Sequence, residues 1–146
     1  MKLIRITDSS QLLSNDAIYQ LLSLSINSPT FGRVKTAAES LYSKEQGKFY
    51  TAVDDDGKIV GIIGAKRIDN ERLELKHIAV DESLRKQGIA KRMMMDIVRE
   101  EGVPMMTAEV DHKFQTFFLK CGFKTKTIVD EAMDTEFCMC TYWAHN

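Results

Sequence analysis

The spacing of apolar and polar positions changes several times along the chain, and each change predicts an element. KLIRIT, Lys2 to Thr7, alternates and predicts a short strand. Leu12, Leu13, Ile18, Leu21 and Leu22 then recur at helical spacing behind Ser9 or Ser10, either of which suits an N-cap. Asn27-Ser28-Pro29-Thr30 breaks that helix. A second helix is expected over roughly Arg33 to Gln46, with Gly47 as its C-cap. KFYTAV and KIVGIIGAKRI flank Asp54-Asp55-Asp56-Gly57 and predict a hairpin, since Asp-Gly between apolar runs adopts the tight turns that join antiparallel strands.

RLELKHIAV, Arg72 to Val80, predicts the next strand. Strict alternation gives it one face of Leu73, Leu75, His77 and Ala79 and another of Glu74, Lys76, Ile78 and Val80. Two charges beside two aliphatics on the second face suit a strand that lines a cleft. Ile89, Met93, Ile97 and Ala90, Met94, Val98 are the stripes of a helix stopped by Gly102 and Pro104. PMMTAEV predicts a short strand and HKFQTFFLK a helix ended at Cys121-Gly122. FKTKTIV and EFCMCTYW predict two closing strands that pair antiparallel. The order β-α-α-β-β-β-α-β-α-β-β makes a mixed α/β (α+β) domain with an antiparallel hairpin at its middle. At 146 residues, with no linker, repeat or low-complexity stretch, the chain is expected to be one domain, 1–146.

Charge and cysteine content narrow the function. A net charge of −1 gives no basic excess for a general nucleic-acid binder. No apolar run approaches the roughly 18 residues of a membrane span, and the charged start, MKLIRITDSSQ, is unlike a signal peptide. Three cysteines, Cys121, Cys138 and Cys140, without metal spacing suggest reduced thiols in a cytoplasm. Cys138 and Cys140 share one strand face and read as packing or cleft lining. Asp111 and His112 lack a suitably spaced third ligand, so no metal site is expected.

The chemistry concentrates in SLRKQGIAKRMM, Ser83 to Met94, between a strand and a helix. A helix start leaves backbone N–H groups unpaired and carries partial positive charge, so a phosphate placed there accepts several hydrogen bonds at once. Gly88 and Ala90 leave room for that approach, and Arg85, Lys86, Lys91 and Arg92 attract an anion. Neither GxxxxGK[ST] nor GxGxxG is present.

Arg85-Lys86-Gln87-Gly88-Ile89-Ala90 resembles the R/Q-x-x-G-x-G/A signature of the GNAT superfamily of acyl-CoA-dependent N-acetyltransferases. LKHIAVDESLRKQGIAKRMM is similar to that family's fourth strand, signature loop and third helix. FYTAVDDDGKIVGIIGAKRI is similar to its central hairpin, and FFLKCGFK to the stretch often written Y-x-K-x-G-F. The resemblance runs from Lys2 to about Trp143. It implies a mostly antiparallel sheet, splayed between strands four and five and flanked by about four helices, with acetyl-CoA in the gap. The pyrophosphate would be held by backbone N–H groups of Gln87, Gly88, Ile89, Ala90 and Lys91, beside Arg85 and Lys86. The pantetheine arm would pair with the backbone of Ile78, Ala79 and Val80. The acceptor would be a primary amine of a small molecule or peptide, acetylated by direct transfer in a ternary complex. By analogy, the C-terminal strands could carry a homodimer.

Transfer to an amine of pKa about 10.4 benefits from a base. Glu74 is the candidate, because a glutamate occupies the matching strand-four position in the family's histone-acetylating members. His77, on the opposite face with Leu73 and Leu75, reads as a core histidine. The chain departs from the family at Phe118, where many members have a tyrosine that protonates the leaving thiolate. Tyr42, Tyr50, Tyr142, Cys121 or a water are the substitutes available. The same departure opens an alternative, an acyl-CoA-binding sensor or regulatory module with little turnover.

Overall fold

A computed structural model describes residues 1–144. The strands are β1 Lys2–Ile6, β2 Gly47–Val53, β3 Ile59–Arg67, β4 Arg72–Val80, β5 Met105–Val110, β6 Lys124–Asp130 and β7 Thr135–Trp143. They form one seven-stranded sheet in the order β1-β2-β3-β4-β5-β7-β6. Every neighbouring pair is antiparallel except β4 and β5, which run parallel. The mixed α/β order expected from the pattern and the mostly antiparallel sheet implied by the resemblance are therefore the ones observed.

The helices are α1 Gln11–Ser14, α2 Asp16–Leu24, α3 Phe31–Ala37, α4 Ile89–Glu101 and α5 Gln115–Lys120. The single first helix expected from the leucine stripe is two, because Asn15 is extended and its side chain caps α2 by accepting from the Ile18 N–H at 3.2 Å. The second expected helix starts earlier, at Phe31, and continues from α3 into a π-helical turn, Ala38–Tyr42. Gly47 is not a C-cap. It is the first residue of β2, and a Cβ there would collide with the Leu41 carbonyl of that turn.

Helices cover both faces of the sheet. Leu12, Ile18, Leu22, Val34 and Phe49 pack with Ile62 on the face of α1, α2 and α3. Met93, Met94, Ile97 and Val98 of α4 pack with Ile63, Leu73 and Met106 on the other. These four α4 residues are buried, as the two stripes predict, and burying each such side chain stabilises by about 1.5–3 kcal/mol. Gly61 lets the helix sit close, since a Cβ there would stand 2.9 Å from Met93 Sδ. Phe118 of α5 extends this core, edge-on to Phe123 at 5.0 Å between centroids.

The far end of α4 is tied down by charge. The Glu101 side chain is 7% exposed and lies 3.5 Å from Arg5, 4.0 Å from Lys48 and 3.6 Å from Arg67. Tyr50 donates its hydroxyl to the same carboxylate. One buried anion thus joins β1, β2 and β3 to the last turn of α4, with its lone pairs satisfied.

Candidate active site

The parallel pair is short. Arg72, Leu73 and Glu74 of β4 pair with Met105, Met106 and Thr107 of β5, and pairing stops there. Beyond Glu74 the strands diverge. β4 keeps β3 on its other side, and β5 keeps β7. A cleft of about 1120 Å³ opens between them. Its walls include Ile78 to Val80 of β4, Ala108 to Val110 of β5 and Phe117 and Phe118 of α5, and it ends at the start of α4.

The strand that lines it contains a bulge. Ala65 pairs with Leu75 but Gly64 pairs with His77, so Lys76 is an extra residue without a partner on β3. One extra residue reverses the alternation beyond it. This corrects the faces read from the sequence. Ile78 and Val80 lie on the α4 side with Leu73 and Leu75, whereas His77 and Ala79 lie on the α2 side with Glu74. Glu74 does not share a face with Ile78, and His77 is not buried among the leucines of its own strand.

At the start of α4, Gly88 is the N-cap residue, with φ 78° and no side-chain cap. The open space before Gly88 holds no protein atom within 4 Å of where a Cβ would be, so left-handed backbone, not packing, requires glycine there. Lys86 is also left-handed, with φ 66°, unfavourable for a residue with a Cβ. Among the described residues, the backbone N–H groups of Lys86, Gln87, Gly88, Ile89, Ala90 and Lys91 have no hydrogen-bond partner. The first turn of α4 carries no acidic side chain. Arg85, Lys86 and Lys91 line this end of the cleft. An array of free N–H donors beneath a cationic rim is built to receive an oxyanion.

At the other end, near the vertex of the two strands, the cleft wall holds Lys76 and His77. Lys76 pairs with Glu74, whose side chain is 21% exposed. Glu74 lies beside the last pairing of β4 with β5 and not on the cleft wall. Burial, with the nearby charge of Lys76, pushes His77 down to about 4, so its ring is neutral near pH 7. The His77 Nδ1 is hydrogen-bonded to the buried Tyr42 hydroxyl, delivered by the π-helical turn. Burial pushes the Tyr42 pKa up, and its hydroxyl keeps its proton.

The proposed substitutes for the missing tyrosine separate here. Tyr50 is committed to Glu101, and Tyr142 packs on Phe123 at 5.5 Å. Cys121 lines the cleft, but burial raises its pKa despite Lys91, so it is a thiol and a poor nucleophile. Cys138 and Cys140 are fully buried in the core and do not line the cleft, so of the two readings open to their shared strand face it is packing that holds. Tyr42 reaches the cleft only through His77. Sequence reasoning missed this pair. The signal available was Gly64, a lone glycine inside a strand, which marks a bulge or a close approach. Both occur: β3 faces the bulge at this residue, and a Cβ on Gly64 would overlap the Tyr42 hydroxyl.

Among the described residues no three metal-ligating side chains converge, and no helix is long and apolar enough to cross a membrane. A family model described as an acetyltransferase (GNAT) domain matches residues 45–125, which include β2 through α5 and all of the cleft lining except Leu24 and Ser25. Human N-acetyltransferase 8 is 31% identical over 94 residues, covering 57% of this chain and 41% of that protein. Human N-acetyltransferase 8B matches over the same shares, so the chain spans about two fifths of the length of these curated relatives. The fold is similar to an aminoglycoside 6'-N-acetyltransferase complexed with coenzyme A, at TM-score 0.72 and 19% identity, covering 98% of this chain and 97% of that one. It is also similar to a spermidine N-acetyltransferase SpeG F149A mutant from Vibrio cholerae, at TM-score 0.70 and 10% identity, covering 98% and 95%. A GNAT family acetyltransferase from Elizabethkingia anophelis with acetyl-CoA bound gives TM-score 0.67 and 18% identity, covering 98% and 97%. At such identities these three likenesses are of fold.

Proposed function

The chain belongs to the GNAT acetyltransferase family, and from that premise we propose that it is an acetyl-CoA-dependent N-acetyltransferase acting on a primary amine of a small molecule or peptide. The observation that carries this reading is the run of unpartnered N–H groups from Lys86 to Lys91 at the mouth of the β4–β5 cleft. The diphosphate of acetyl-CoA would cap α4 there, with Arg85, Lys86 and Lys91 adding attraction and Gln87, Gly88, Ile89 and Ala90 giving backbone donors. The pantetheine arm would run along Ile78, Ala79 and Val80, whose β5 side has no strand neighbour and leaves backbone groups free to pair. One continuous sheet supports reading 1–146 as a single domain.

The acceptor would enter from the α2 side of β4, where Glu74 and His77 stand on one face. Glu74 is our candidate for the base, acting at the edge of the site on a proton relayed from the ammonium. Direct transfer in a ternary complex is favoured because the cleft cysteine, Cys121, is held as a thiol. An acyl-CoA sensor with little turnover is the second reading. Phe118 favours it, because α5 offers the cleft a buried ring where many family members have a hydroxyl.

Two measurements test this. Acetyl-CoA at roughly 100 times its Kd should raise stability by about 2.7 kcal/mol in a thermal scan, and no shift with acetyl-CoA or CoA sinks both readings. Thiol release across a panel of polyamines, amino acids, aminoglycosides and peptide N-termini then separates enzyme from sensor. Binding without release on any amine would favour the sensor.

A further inference from the structure

Phe118 leaves the α5 wall without the hydroxyl that many family members place at that position, and across the cleft on β4, beside Lys76, stands the polar His77. Three irregular features converge on it. The bulge at Lys76 turns His77 to the α2 side. The π-helical turn delivers Tyr42, 6% exposed, beneath it. Gly64, the cross-strand partner of His77, vacates the space that the Tyr42 hydroxyl fills. A bulge, a π turn and a strand glycine each disfavour regular structure, and π turns and bulges recur at functional sites.

The contact fixes a tautomer. The Tyr42 hydroxyl keeps its proton, and His77 Nδ1 is its one partner among the described residues. It therefore donates to Nδ1. A neutral imidazole that accepts at Nδ1 carries its own proton on Nε2. Among the described residues no protein group accepts from that Nε2–H, and the atom is not sealed from solvent. His77 is one of the residues that line the cleft.

We propose that His77 is a catalytic hydrogen-bond donor whose Nε2–H, held by the positioning residue Tyr42, stabilises the negative charge that collects on the CoA sulfur as the acetyl group leaves. This rests on reading the cleft as an acetyl-transfer site. His77 gives up no proton in the step. The neutral amine forms the C–N bond to the acetyl carbon, its surplus proton leaves to the base or to solvent, the C–S bond breaks with its electron pair staying on sulfur, and the hydrogen bond supports a thiolate already tolerable as a leaving group, the parent thiol having a pKa near 8.5. The donor comes from the acceptor side of β4, opposite the position that Phe118 occupies.

Side-chain ¹⁵N spectra of the histidine-labelled protein test it without turnover. Wild type should show the Nε2–H tautomer at His77, and Tyr42→Phe should give a mixture. CoA should move the Nε2 resonance, and desulfo-CoA should leave it in place. In kinetics, His77→Leu should lower kcat roughly tenfold to a hundredfold with the KM for acetyl-CoA within about twofold. His77→Gln, which keeps an N–H near the same point, should recover part of the loss. An Nδ1–H tautomer, an equal response to CoA and desulfo-CoA, or unchanged kcat in folded His77→Leu overturns the inference. If His77→Leu does not fold, the spectra of wild type and Tyr42→Phe decide. No CoA binding at all overturns the acetyl-transfer reading and this inference with it, whereas binding without a response at His77 overturns this inference alone.

Discussion

The two ends of α4 hold charge in opposite conditions. At the C-terminal end, Glu101 is buried and surrounded by Arg5, Lys48, Arg67 and Tyr50, so its charge is answered within the protein. At the N-terminal end, backbone donors from Lys86 to Lys91 are unanswered, and the cations beside them line an open cleft. The first arrangement has nothing left to offer a ligand and serves cohesion. The second is open to solvent and free to bind a ligand, and the left-handed Lys86 is unfavourable backbone held beside it. The difference between satisfied and unsatisfied polar groups distinguishes scaffold from site within one thirteen-residue helix.

Substitutions at the two ends should therefore separate binding from stability. The largest effect is expected from Gly88→Glu, which puts a carboxylate and a strained φ where the diphosphate belongs. CoA affinity measured by calorimetry should fall at least a hundredfold, with a stability loss of only about 1 kcal/mol. Retained affinity would place the phosphate site elsewhere. Glu101→Leu should do the reverse. It leaves three cations without their anion and should cost about 2–3 kcal/mol in urea unfolding, below the range for a fully buried pair because the cations reach solvent. CoA affinity should be unchanged, and a large loss would mean that the two ends are coupled.

A smaller effect separates the mouth of the cleft from its vertex. Glu74→Gln should lower kcat roughly tenfold and alter its pH profile while leaving CoA affinity alone. Unchanged turnover and profile would remove Glu74 as the base. The smallest effect concerns His77. Its folded pKa of about 4 lies below the unfolded value of 6.5, so the unfolded chain binds more protons between those values. Stability should fall as pH drops from 6.5 toward 4, and His77→Gln should flatten that part of the slope. Equal slopes in thermal unfolding would mean that His77 is not held neutral by the fold.

The N-terminal end of α4 was legible because its chemistry is local. A glycine between a strand and an amphipathic helix, among basic residues, specifies the turn and the cationic rim together, and β4 and the α4 stripes fall where the periodicity puts them. The vertex was not legible, because a bulge depends on the partner strand. LELKHIAV changes phase at Lys76-His77, but two adjacent polar residues do not by themselves fix a bulge, and its pairing with Gly64 and Ala65 is what shows that Lys76 is extra. That one residue moved His77 from the leucine face to the α2 side and separated Glu74 from Ile78. Gly47 misled for the same reason, since a glycine after a helix signals a cap unless the chain must squeeze past a neighbouring carbonyl, as it does at Leu41. The Glu101 cluster joins residues from Arg5 to Glu101, and no local pattern announces such a meeting.

The most direct test of the contrast between the two ends of α4 is a titration of ¹⁵N-labelled protein with CoA, followed amide by amide. The account predicts the largest shifts at Lys86 to Lys91, with smaller ones along Ile78 to Val80 and none at Arg99 to Gly102. Saturable binding that leaves the amides of Lys86 to Lys91 unmoved would contradict it.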